Sequence, residues 1–300
     1  MRYFLVSFAL VFSLSAAIVK DVRDAIAEEQ FAKGETLIAN YRKTNGVNSE
    51  MLEALSWMGR GAFKLKQYSK AEGYAQQTQE LVLVQLKKQP LDADQSLPLA
   101  LGAAIEVQAQ VMAARNERDQ AVAFLQKELK TYHASSIRTR LQKNIHLLSL
   151  EGKPAPAILF NQHLGSKPQA LAALKGKPVV LFFWAHWCGD CKYQGPILAK
   201  LRNEYKGLVV IGPTQLYGYV AGGNDAAPAD EIKYIDEVRK RSYAELIDMP
   251  VPLDSETFRN YGCSTTPTLV IIDKAGIVRL YHPGVMKEDE LRAVLDKVAH

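Results

Sequence analysis

Cys188 and Cys191 stand two residues apart in the run Trp187-Cys188-Gly189-Asp190-Cys191, where a continuous apolar stretch gives way to a helical pattern. A cysteine at that junction lies at the first turn of a helix. There, unpaired N–H groups and the positive end of the helix dipole favour an anion. The thiolate is stabilised, so the thiol becomes nucleophilic near neutral pH. The second cysteine, one turn further in, can reach the first. The chemistry this spacing serves is disulfide exchange: Cys188, at the exposed mouth of the helix, attacks a partner disulfide, and Cys191 resolves the mixed disulfide. Half of a zinc site has the same C-x-x-C spacing. No second pair exists, however, and the nearest imidazole, His186, is wrongly spaced for a Cys2His2 site, so a metal is not expected. The Cys188–Cys191 disulfide is itself the redox group, and no other cofactor is called for.

The surrounding residues imply the elements that hold this pair. Residues 178–184 are a continuous apolar, aromatic and β-branched run, the pattern of a strand covered on both faces. A helix over 190–205 follows, then a second strand over 208–212. After a long loop come a helix over 229–247, a short extended piece at 251–253 and a short helix at 255–261. A strand over 268–273 turns at Lys274-Ala275-Gly276 into a hairpin strand over 277–282, and a helix over 288–298 closes the chain. This order describes a mixed sheet with helices on both faces.

Upstream, residues 18–150 read as an all-helical domain, with helices over 22–41, 49–64, 69–88, 98–114, 118–133 and 136–149. Leu55, Gly59 and Tyr68 to Ala71 resemble the second half of a tetratricopeptide unit, and Glu117 to Ala121 sits at the same point of the next hairpin. Ala71 and Ala121 are 50 residues apart rather than the usual 34 or so, so the domain is tetratricopeptide-like rather than regular. Two prolines in Gly152-Lys-Pro-Ala-Pro156 end the helices and place a boundary between residues 150 and 151.

Residues 1–17 have the order of a secretory leader: Arg2, an apolar run from Tyr3 to Leu14, then Ser15, Ala16 and Ala17. Export to the bacterial periplasm or the outer face of the cytoplasmic membrane is expected, with cleavage near Ala17. Membrane contact is expected only if the leader is retained, and no other segment is judged long and apolar enough to span. The net charge of +5 is small and spread along the chain, without the basic stripe of a nucleic-acid binder. Three cysteines, one close pair and one left over, do not make a disulfide-stapled scaffold.

Residues 151–300 resemble the thioredoxin superfamily, and within it the exported TlpA/ResA-type thiol–disulfide oxidoreductases. The matching pieces are Gly152-Lys-Pro-Ala-Pro156, the 174–180 segment and the Phe-Trp-Ala-x-Trp-Cys-x-x-Cys core. Pro196, Tyr261 to Val270 and the following Ile-Asp-Lys-Ala-Gly complete the set. The resemblance implies an α/β thioredoxin-like fold and an enzyme that exchanges disulfides. Its partners would be a client protein with a disulfide or dithiol and an upstream thiol–disulfide electron carrier. It further implies a cis Thr266-Pro267 peptide beside the cysteines, where Thr266 presents backbone groups to an incoming chain, with Trp187 in the docking surface and Trp184 in the core.

Several positions depart from that family. The buried acid common six residues before the first cysteine is Phe182 here, and the glutamate frequent three residues after the second is Gln194. Asp190 would oppose a thiolate next to it while the helix start favours one. His186 reads as a solvated loop residue rather than a cation that stabilises the thiolate. Cys263 reads as a small buried side chain, with a third redox thiol as the alternative. The 214–230 loop, holding Tyr217, Tyr219 and Gly222-Gly223, is long, and its tyrosines are expected to flank the cysteines and help select the partner. The leading function is an exported oxidoreductase working as a disulfide reductase. The other is a helical adaptor whose thioredoxin-like part only recognises partners.

Overall fold

A computed structural model describes residues 15–299; the apolar run of the expected leader lies outside the described residues. The chain forms two compact units, divided after Ile137. The first consists of three helical hairpins: α1 (Ser15–Ala27) with α2 (Phe31–Asn45), α3 (Ser49–Lys64) with α4 (Tyr68–Gln85), and α5 (Ser96–Ala114) with α6 (Arg118–Thr131). All three close in the same way. Glu29, Lys66 and Asn116 adopt left-handed φ values of 58°, 58° and 65°. The next residue's N–H then donates to the carbonyl five residues back: Gln30 to Ala25, Gln67 to Ala62, Glu117 to Met112. This is the Schellman closure, which usually carries glycine. The single helix expected over 22–41 is therefore two helices, because Glu29 makes a turn that neither glycine nor proline announces.

Gly59 of α3 lies against Ala71 and Ala75 of α4, so small residues do sit at that crossing. By length and composition, α5 is apolar enough to cross a membrane, contrary to the expectation that nothing beyond the leader would be. Its Leu97, Leu101, Ile105 and Val111 are nonetheless buried, and it packs on α3, α4 and α6 as the core helix of the unit.

The second unit opens with α7 (Arg138–Ser149) and continues with β1 (His163–Leu164), β2 (Val179–Phe183), α8 (Gly189–Glu204), β3 (Val209–Ile211) and α9 (Pro228–Ser242). It ends with β4 (Val251–Pro252), α10 (Ser255–Asn260), β5 (Thr268–Ile272), β6 (Val278–Pro283) and α11 (Glu288–Ala299). The main sheet runs β3-β2-β5-β6. The β2–β3 pair is parallel and the other pairs antiparallel, with Leu181 opposite both Ile211 and Val270. A two-residue ladder joins β1 to β4.

The unbroken apolar run of β2 serves two cores, because successive side chains point to opposite faces. Val180 and Phe182, with Trp184 beyond the strand, pack with Leu198 of α8, Ile235 of α9 and Leu291 and Leu295 of α11. Val179, Leu181 and Phe183 pack with Phe258 of α10, Tyr261 and Val270. The expected 229–247 helix stops at Ser242; Tyr243 leaves helical geometry and sets its ring edge-on to Phe182 and Trp184.

The helix expected to close the helical domain, α7, belongs to the second unit. Arg138 donates to Glu256 of α10 at 2.5 Å, and His146 reaches the Asn260 carbonyl at 2.8 Å. α7 stops at Ser149, before Pro154 and Pro156 are reached, and the compact units divide before α7 rather than after it; α7 packs on α10 and β6.

Candidate active site

Strand β2 delivers the chain through Trp184 to Cys188, which caps the N-terminus of α8. Trp184 is locked first: its indole N–H donates to the Gly212 carbonyl at 2.9 Å, and its own carbonyl accepts from the Thr214 hydroxyl at 2.8 Å. Cys188 and Cys191 are joined as a disulfide, with Cα atoms 5.3 Å apart. The Cys188 Sγ accepts the Cys191 backbone N–H at 3.0 Å, so one of the orphan donors of the first helical turn is aimed at that sulfur. The same sulfur lies 3.4 Å from the Thr266 carbonyl oxygen. Thr266-Pro267 is a cis peptide. It directly precedes β5.

Cys188 is not at an open mouth, as expected, but only 3% exposed; Cys191 is fully buried. The rim is aromatic. Trp187, 49% exposed, meets the Tyr217 ring edge-on at 5.6 Å. Gly189 and Asp190 are exposed on the first turn of α8. Gln194, buried one turn beyond Cys191, accepts the Met286 N–H at 2.8 Å through Oε1 and so ties the loop before α11 to α8.

His186 overturns its sequence reading. It is 1% exposed, as is Glu231 of α9, and its Nε2 lies 3.4 Å from Glu231 Oε1. That separation makes an electrostatic contact rather than a well-formed hydrogen bond. Tyr217, Tyr219 and Tyr234 set their rings edge-on around the imidazole at 5.6, 5.4 and 5.3 Å. Burial pushes its pKa down, against the pull of Glu231 upward. The Glu231 carboxylate accepts the backbone N–H groups of Tyr217 at 2.6 Å and Gly218 at 2.9 Å. The tyrosines of the long loop thus contact His186 and Trp187, the two residues that precede Cys188.

Glu231 and Tyr234 escaped the sequence reading. An acid in the first turn of a helix looks like an ordinary partner for the dipole, and nothing local signals that this one turns inward. Cys263 is buried 6% exposed, its thiol held well above the ordinary range by burial, with Thr268 partly offsetting.

Residues 167–299 match the profile of the thioredoxin-like domain. The chain is 30% identical over 149 residues to the thioredoxin-like protein YneN of Bacillus subtilis, covering 49% of this chain and 79% of that protein. It is 32% identical over 146 residues to the thiol:disulfide interchange protein DsbE of Pseudomonas fluorescens, covering 47% and 74%. Against the thiol-disulfide oxidoreductase ResA of Bacillus thuringiensis it is 30% identical over 149 residues, covering 49% and 78%.

Proposed function

The chain belongs to the thioredoxin-like thiol–disulfide oxidoreductases, and we propose that it works as an exported disulfide reductase of protein clients. The observation that carries this reading is the Cys188 sulfur placed where the Cys191 N–H and the Thr266 carbonyl converge on it. In the reduced state the N–H stabilises the Cys188 thiolate, and the helix start adds to it. That thiolate attacks one sulfur of a client disulfide. The client's other sulfur leaves as a thiolate and takes a proton from solvent. Cys191, once deprotonated, attacks the Cys188 sulfur and releases the client's second thiol, so the client gains two electrons and the Cys188–Cys191 disulfide forms. An upstream thiol–disulfide carrier returns the pair to the dithiol.

Thr266 offers backbone groups to a client lying alongside in strand fashion, next to Pro267, and Trp187 supplies the exposed apolar contact. With Phe182 and Gln194 in place of acids, water is the proton acceptor this reading assigns to Cys191. Export rests on the leader pattern and on the relatives' type. The helical unit, tetratricopeptide-like in its small-residue crossings, is assigned to client docking.

The reduction potential of the pair at pH 7 tests the direction. A value near about −270 mV supports a reductant, whereas one near about −120 mV makes the protein an oxidant. The adaptor reading requires that the pair exchange with no disulfide at all.

A further inference from the structure

The buried His186–Glu231 pair is not needed for the exchange chemistry just described, yet it lies at the heart of the loop beside it. A carboxylate 1% exposed is costly unless its lone pairs are occupied. Here they are occupied by two consecutive loop N–H groups, those of Tyr217 and Gly218, with the imidazole lying beside them at 3.4 Å. Gly218 has φ +85°, a conformation that glycine adopts without strain, and it lets the chain turn so that both N–H groups face the carboxylate. The rest of the loop is closed by its own hydrogen bonds, Val220 N–H to Asn224 and Ala226 N–H to Gly218. Glu231 is therefore the side chain that ties this folded loop to α9.

The consequence falls on the rim. Tyr217 has its backbone held by Glu231, one ring contact to His186 and another to Trp187. Trp187 directly precedes the attacking cysteine and is 49% exposed. A chain of contacts thus runs from Glu231 through Tyr217 to Trp187.

Resting on the oxidoreductase reading above, we propose that Glu231, with His186, is a positioning clasp for client specificity. It seats Tyr217 and, through it, Trp187 beside Cys188, so that disulfides carried on a polypeptide are preferred over small ones. A small disulfide needs only the sulfur; a polypeptide also needs a fixed aromatic face to lie against.

The test uses the full-length reduced protein with two probes, insulin as a polypeptide disulfide and 5,5′-dithiobis(2-nitrobenzoate) as a small one. For Glu231→Ala the ratio of the insulin to the small-disulfide kcat/KM is expected to fall about tenfold, mainly through KM. Glu231→Gln, which keeps an acceptor oxygen for the loop N–H groups, should recover most of the ratio. Tyr217→Ala should show the same fall, and adding Glu231→Ala to it should cost nothing more, because the two act in series. Equal losses with both probes, or additive losses in the double variant, would overturn the proposal. If Glu231→Ala does not fold, Tyr217→Ala and Glu231→Gln still decide it: an unmoved ratio in Tyr217→Ala sinks the clasp. A wild-type protein that reduces neither probe would instead refute the oxidoreductase reading itself.

Discussion

Cys188 and Cys263 are two sulfurs in one unit, both nearly closed to solvent, at 3% and 6% exposure. Their surroundings differ in kind. Cys188 caps α8 and receives a backbone N–H along the direction of the helix start. Cys263 follows α10, donates its own N–H to the Phe258 carbonyl, and packs among Tyr261, Val270 and Tyr281. Burial drives its thiol upward, with Thr268 partly offsetting. Burial is therefore common to both sulfurs, and the orientation of nearby backbone dipoles is what distinguishes their surroundings.

The largest expected effect sharpens this contrast directly. Cys188→Ser should lower insulin reduction by about a thousandfold or more, since no other thiolate replaces the nucleophile. Cys263→Ser should leave insulin reduction within about twofold, because Cys263 lies outside the Cys188–Cys191 pair. A Cys263→Ser loss as deep as that of Cys188→Ser would erase the distinction. Next in size, Cys191→Ser leaves attack intact and removes resolution. A mixed disulfide should then accumulate on Cys188, visible by mass spectrometry after mixing with oxidised client, and its absence would contradict the assigned order of attack.

The Cys263 side should behave as scaffold. Gly262 has φ +64°, and a Cβ there would come within 2.3 Å of the Lys143 backbone nitrogen of α7. Gly262→Ala should destabilise the unit by about 2–4 kcal/mol in denaturant unfolding. A near-neutral change would show that α7 is not pressed against this turn.

The smallest effect is the pH response. Burial lowers the pKa of both His146 and His186 in the folded state. A histidine with a depressed folded pKa binds its proton more readily when unfolded, so stability falls as pH drops below about 6.5. The unfolding midpoint should therefore decrease between pH 7 and pH 5. His146→Gln should flatten that slope, and an unchanged slope would remove His146 from the account.

The sequence made the reactive site and the sheet around it readable for physical reasons. A buried strand that ends in a C-x-x-C at a helix start is a local pattern, and so is the turn at Lys274 to Gly276. What escaped depended on long-range contacts. His186 looks like a loop residue until Glu231 and three tyrosines close around it. α7 looks like one more amphipathic helix until Arg138 finds Glu256. The break at Glu29 has no glycine or proline to mark it; its left-handed φ is closed by the Gln30 N–H donating to the Ala25 carbonyl.

The most direct measurement is the rate at which each cysteine of the reduced protein is alkylated by iodoacetamide at pH 7, read site by site by mass spectrometry. Cys188 should react first, at least about a hundredfold faster than Cys263, with an apparent pKa below the free-thiol value of about 8.5. A Cys188 that reacts no faster than Cys263, or that forms no bond to Cys191 on reoxidation, would contradict a thiolate set up by the start of α8.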